Sequence, residues 1–201
     1  MGGRAFGPPE GAGAVREPAL EWYRTFQRQV RSARWADPLR EAALTERLGA
    51  WTRHLTGAVI AACQALGWRA VGRGHLAEVL PVVKQEYLAL DVMAFPAGPS
   101  ASWPRPVAVF ELENQPKAEF IAYALWKVSL VCCPLKGVFC YRKRSEEVGD
   151  LLKTLAAEVM GETEGTVLVV VGTRSRAEDF PDGFFRPYRW DGAFRQFRPL
   201  V

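Results

Sequence analysis

Histidine is almost missing from this chain. Only His54 and His75 occur in 201 residues, too few for a histidine-rich zinc site and scant material for a Ser-His-Asp triad. No G-x-x-x-x-G-K-[ST] and no G-x-G-x-x-G is present, so neither a P-loop nor a Rossmann phosphate cradle is available. No stretch approaches the roughly 18 consecutive apolar residues of a membrane helix. The opening MGGRAFGPPEGAGAVREP is rich in Gly and Pro and lacks an apolar core, so a secretory signal peptide is not expected. The four cysteines, Cys63, Cys132, Cys133 and Cys140, sit in apolar contexts without metal-ligand spacing. They read as buried, reduced thiols of a cytoplasmic protein.

Apolar residues are plentiful. At 49% hydrophobic content the chain can bury a sizeable core, and disorder is not expected for most of it. One domain over residues 17–201 is the natural reading, preceded by a flexible arm over 1–16. Its core spans about 39–171, and an arginine- and aromatic-rich tail follows over 172–201. The net charge is +4, carried mostly by arginine, which is compatible with an anionic partner.

Periodicity orders the elements. Residues 17–35 have helical spacing, with Leu20, Tyr23, Phe26 (or Gln27) and Val30 on one stripe and Arg24, Arg28 and Arg31 on another. Asp37-Pro38 offers an N-cap and a first-turn proline for a second helix over 39–66, with Gly49 and Gly57 as break points and Gly67 as its C′ residue. Its stripe is Leu44, Leu48, Trp51, Leu55, Val59 and Cys63, and Glu46 falls beside that stripe. A short strand is expected over 68–71, an extended run over 79–95 with Pro81 marking an edge or bulge, and a strand over 107–113, the last two separated by a Pro/Gly/Ser-rich hairpin loop over 96–106. A helix over 117–133 is apolar nearly all round and should be buried. A strand over 135–142, an amphipathic helix over 146–160 and a central-type strand over 166–171 complete the pattern. The expected fold class is α/β, a three-layer mixed β-sheet flanked by helices.

Residues 86–127 gather acids onto apolar backbone. Asp91 ends one strand-like run, and Glu111 and Glu113 share a face of the next. By strand parity Asp91 points with Tyr87, Ala89 and Met93, while Glu86 points the other way. Carboxylates on buried backbone neutralise, pair or hold a metal. Hard divalent cations take carboxylate oxygens, with water and substrate phosphate completing the shell, and such a cation polarises a phosphoryl oxygen. The bland alternative is a solvated hairpin end with ordinary charges.

Asp91, a gap of nineteen residues, then Glu111-x-Glu113 on a second strand followed by a helix resembles the PD-(D/E)XK nuclease superfamily. The resemblance covers roughly residues 39–171. It implies a restriction-endonuclease-like fold, hydrolysis of DNA phosphodiesters, and Mg²⁺ (or Mn²⁺) as cofactor. On this reading Asp91, Glu111 and Glu113 are metal ligands and catalytic residues, with Glu113 standing where the motif carries lysine. Lys127, the sole charged residue between Phe120 and Cys133, is the substitute lysine, the alternative being that it snorkels to the helix surface. Glu46, Glu86, Gln115 and Lys117 are further site candidates, and Lys84 a weaker one. Arg24, Arg28, Arg31, Arg189 and Arg195 are candidates for contacting DNA, although a solvated helix face and a core-covering tail explain them equally well. A homodimer is compatible with the sequence, and no membrane partner is expected. The lost motif lysine also admits a catalytically inactive nuclease-fold binding or assembly module.

Overall fold

The computed structural model describes residues 17–98 and 102–200. The arm expected over 1–16, the middle of the 96–106 loop and Val201 lie outside the described residues. Three helices open the chain: α1 (Pro18–Val30), α2 (Ala36–Leu44) and α3 (Leu48–Ala65). Strands β1 (Arg69–Gly72), β2 (Val92–Phe95) and β3 (Ala108–Leu112) follow. Then come α4 (Ala118–Ser129), β4 (Leu135–Arg142), α5 (Glu147–Glu158) and β5 (Thr166–Thr173). A 3₁₀ segment (Arg174–Asp179) leads to β6 (Phe185–Asp191) and β7 (Gln196–Pro199). The seven strands form one mixed sheet in chain order. Pairing is antiparallel from β1 to β3, parallel from β3 to β5, and antiparallel to β7. The parallel pairs are the ones with a helix crossover, as chain connectivity requires.

Strand alternation separates two cores. Ala108, Phe110 and Leu112 of β3 and Phe139 and Tyr141 of β4 point to the α1–α3 layer. Val109 of β3, Val138 and Cys140 of β4 and Val169 of β5 point to α4 and α5. The architecture is therefore α/β in three layers. Among the described residues no helix is long and apolar enough to cross a membrane.

Several expectations shift. The buried stripe of α1 is Ala19, Trp22, Phe26 and Val30, with Leu20 and Tyr23 at its margin. The second helix breaks at 45–47, where Glu46 takes a left-handed φ of 53°, so Leu44 and Leu48 are half-exposed instead of buried. Asp37 falls in the first turn of α2, and no side chain caps it. Gly57 is no break, because α3 runs through it and Trp35 fills the space a Cβ would need, with a ring atom 2.3 Å away. Gly67 does end α3, with its N–H donating to Gln64 O and that of Trp68 to Cys63 O. Residues 79–95 are not one strand: only Val92–Phe95 pairs. The tail adds a hairpin to the sheet, because its aromatics alternate with arginines as they do on a half-buried strand, and Phe197 sits inward between exposed Gln196 and Arg198. Cys132 is exposed, while Cys63, Cys133 and Cys140 are buried.

Helix α4 departs furthest from expectation. Ile121, Ala124, Leu125 and Val128 are buried, yet Phe120 is 40%, Tyr123 57%, Trp126 50% and the following Leu130 66% exposed. A single sheet face covers one stripe of a helix, and among the described residues no further layer covers the rest.

Candidate active site

The site lies where the β2–β3 ladder meets α4. Val92 pairs with Phe110, so Asp91, just before β2, stands beside Glu111. The Asp91 N–H donates to Glu111 Oε1 at 3.3 Å. In return Asp91 Oδ2 accepts the Leu112 N–H at 2.7 Å. A tight turn precedes Asp91. Leu88 and Ala89 have φ of 55° and 52°, and the Leu90 N–H donates to Tyr87 O at 3.1 Å. Two successive left-handed residues are the pattern of a type I′ turn, which normally takes Gly or Asn. Each costs about 1–2 kcal/mol here. This turn defeats strand parity upstream of Asp91. Gly72 of β1 is required behind it, since a Cβ there would lie 2.6 Å from the Asp91 carbonyl oxygen.

Lys127 reaches the acids from α4. Its Nζ stands 2.9 Å from Glu111 Oε2 and donates to Ala89 O at 2.9 Å, so it holds the turn and the acid together. Its ammonium also lies 5.7 Å from the Tyr123 ring centroid. Glu111 is buried at 7% exposure. Burial, reinforced by the Asp91 charge, pushes its carboxyl up to about 7, with Lys127 pulling the other way. Burial likewise raises Asp91, opposed by the Leu112 N–H and Lys127 and reinforced by the charges of Glu86 and Glu113. Adjacent acids held above their usual range mark a place where a cation would be welcome.

The other candidates distribute as follows. Glu113 follows β3, half-buried, and its Oε1 accepts the Gln115 N–H at 2.6 Å. Among the described residues no three His, Cys, Asp or Glu side chains are grouped to hold a metal ion, so the arrangement offers two adjacent carboxylates and not three. Glu86 pairs with Arg73 at 3.3 Å and its charge is felt at Asp91; it lies outside any strand, so strand parity does not set its side. Gln115 and Lys117 are exposed, Lys117 at the N-cap of α4. Glu46 lines a small cavity of about 80 Å³ on the other face, with Trp51, Asn114, Tyr141 and Arg174. Lys84 lines an apolar groove beside Tyr87 and Trp103.

The arginine candidates do not converge on the acids. Arg31 pairs with Asp182 at 2.9 Å, Arg28 donates to Thr25 Oγ1 at 2.8 Å, and Arg24 is exposed on α1. Arg189 pairs with Glu17 and is registered with Leu168 near the start of β5. Arg195 sits in the β6–β7 turn. Antiparallel pairing places that turn at the sheet end opposite the C-termini of β3–β5. Two arginines at the ends of the parallel strands contact the segment that follows Glu113. Arg142 donates to Pro116 O at 2.6 Å, and Arg174 donates to Asn114 O at 3.3 Å. The C-terminal ends of β4 and β5 thus brace the 114–117 segment just past Glu113. A basic residue at the C-terminal end of each parallel strand was the available sign.

No protein-family model, no curated protein and no solved structure matches this chain.

Proposed function

We propose that the chain is a divalent-metal-dependent nuclease of restriction-endonuclease-like fold, acting on DNA. The observation that carries this reading is the ion pair of Lys127 with Glu111 at 2.9 Å. It joins a lysine from the helix after β3 to the acid of β3, on the same side of the sheet as Asp91. That supplies the motif's lysine from a different element, with Glu113 in its strand position. The order of a helix, a β1–β3 meander, a crossover helix and a parallel β4 supports the same reading.

Asp91 and Glu111 fit a hard divalent cation. Both present carboxylate oxygens, both are held above their usual range by burial, and one or two carboxylates suffice when water and substrate phosphate fill the shell. When bound, Mg²⁺ or Mn²⁺ would neutralise charge on the phosphoryl oxygens and lower the pKa of water. The chain's own groups then have separate tasks. Lys127 orients Glu111 and fixes the turn that presents Asp91. Its ammonium also offers a donor to a phosphate oxygen as charge develops. The Leu112 N–H holds Asp91 in one rotamer. Arg142 and Arg174 hold the 114–117 segment, and Arg142 adds positive charge where a phosphate backbone would pass.

The test is cleavage of a labelled oligonucleotide in Mg²⁺ or Mn²⁺ by the wild type, Asp91→Ala and Glu111→Ala. Metal-dependent cleavage lost in both variants is expected. Cleavage in EDTA, or full activity in either variant, overturns the reading. The same ion pair favours one alternative: the Lys127 ammonium occupies the Glu111 oxygen a cation would use, as in a nuclease fold retained for binding. DNA binding without cleavage, unchanged in Asp91→Ala, would select that alternative.

A further inference from the structure

Among the described residues the rings of α4 are left exposed, and they border the acid–lysine site. Phe120, Tyr123 and Trp126 are 40%, 57% and 50% exposed. At about 100° per residue they span one arc of the helix, and Lys127 falls between Phe120 and Tyr123 on that arc. Tyr123 and Trp126 lie nearly parallel, with centroids 5.8 Å apart and planes at 24°. The Lys127 ammonium that contacts Glu111 also stands over Tyr123. Leu88, 75% exposed on its left-handed turn, belongs to the turn whose Ala89 carbonyl Lys127 holds. A continuous surface thus runs from flat rings to the carboxylates, with exposed Lys117 at the start of the helix and Arg142 bonded to the neighbouring Pro116 carbonyl.

We propose that this face is a base-stacking platform, which makes unpaired DNA the substrate: single strands or frayed ends. The proposal rests on the nuclease reading for the location of the reacting phosphate. Two observations and one general constraint select this occupant. The exposed side chains beside Lys127 are aromatic, and a π-face accepts any base, as single-strand binders require. Lys117 and Arg142 place cations near the start of the helix, alongside exposed Glu119, which suits a phosphate backbone more than a purely apolar partner. The faces of duplex bases are covered by their neighbours and cannot stack on an exposed ring, whereas an unpaired strand can lay successive base faces along one.

The experiment measures binding of fluorescein-labelled oligo-dT, and of a hairpin duplex of equal length, in EDTA so that no cleavage intervenes. Wild type is compared with Tyr123→Leu, Trp126→Leu, Tyr123→Phe and Trp126→Phe. These positions are exposed, so folding should be retained, and a thermal melt checks it. Loss of single-strand affinity on the order of 10-fold for each Leu variant, near-wild-type affinity for the Phe variants and an unchanged, weaker hairpin affinity are expected. Leu variants that bind like wild type would overturn the proposal, since they keep apolar area and lose only the rings. So would a dimer in sedimentation that falls apart in the Leu variants, because the face would then be covered by a second copy. Because cleavage is not read, an inactive protein with the expected binding pattern would remove the nuclease reading and leave the platform standing.

Discussion

On the α1–α3 side of the sheet, aromatic rings are sealed inside. Trp22 stacks on Phe110 at 4.4 Å, Phe26 meets Phe139 at 5.1 Å, and Phe139 meets Phe185 at 5.8 Å. Gly137 leaves Phe110 its space, since a Cβ there would sit 2.4 Å from the ring. On the α4–α5 side the buried layer is mainly aliphatic, while Phe120, Tyr123 and Trp126 face outward. The acid–lysine group belongs to this second side. The first face therefore carries the aromatic packing of the fold, and the second a mainly aliphatic core. The second gives up packing at one corner, where charge and exposed rings replace a closed core.

The contrast breaks most readily at its strongest point. Phe110→Ala should cost about 3–5 kcal/mol through lost transfer energy and the cavity left behind, seen as a large fall in the denaturation midpoint. A loss below about 1 kcal/mol would mean that the aromatic layer is not the stabilising face.

The second prediction has the opposite sign. Glu111 keeps its proton to about pH 7 in the folded chain, against an ordinary value of 4.5. A raised acid contributes stability fully below the unfolded value, and that stability is lost as pH rises through the folded one. The wild type should therefore weaken between about pH 4.5 and 7 relative to Glu111→Gln/Lys127→Met. Above pH 7 the double variant should be the more stable, by about 1–4 kcal/mol, since a buried pair is replaced without leaving an orphaned charge. Chemical denaturation of both proteins at pH 5 and pH 8 tests this, and equal pH slopes would show that the group is not under burial stress.

Smaller effects sharpen the contrast. Phe120→Ala should change stability by no more than about 0.5 kcal/mol, although the same ring deletion inside the first face is severe. Smallest is the pair Arg142→Ala and Arg189→Ala. The first should lower the slope of log affinity for DNA against log salt by about 1, and the second should leave it unchanged, because Arg189 lies at the other sheet end and is paired with Glu17. Fluorescence anisotropy at several salt concentrations reads both.

Much of the fold is legible in residue periodicity. The run at Leu135–Arg142 and the apolar run from Thr166 give β4 and β5 because strands covered on both faces leave a strong local mark. The amphipathic stripe of α5 is equally plain: Val148, Leu151, Leu152 and Leu155 are all buried. What fails is what long-range pairing decides. The β6–β7 hairpin looks like a turn-rich tail until β5 provides an edge for Phe185–Asp191 to join. The position of Glu86 cannot follow from parity, because a turn with a Leu-Ala centre carries none of the usual Gly or Asn markers. The site is half-visible for the same reason. Asp91 and Glu111 are brought together by strand register, which the hairpin loop suggests. The Lys127 contact depends on how α4 is rotated over the sheet. A helix that is apolar nearly all round leaves that rotation undetermined, and it also hides which rings remain outside.

The central claim is that Asp91 and Glu111 together form a divalent cation site governed by Lys127. Calorimetric titration of the wild type and Asp91→Ala with Mn²⁺ near pH 6.5, in two buffers of different ionisation enthalpy, tests it most directly. Saturable binding in the wild type with proton release, because Glu111 must give up a proton held to about pH 7, and loss of both in the variant, is the predicted result. No saturable binding in the wild type, or binding unchanged in Asp91→Ala, would contradict it.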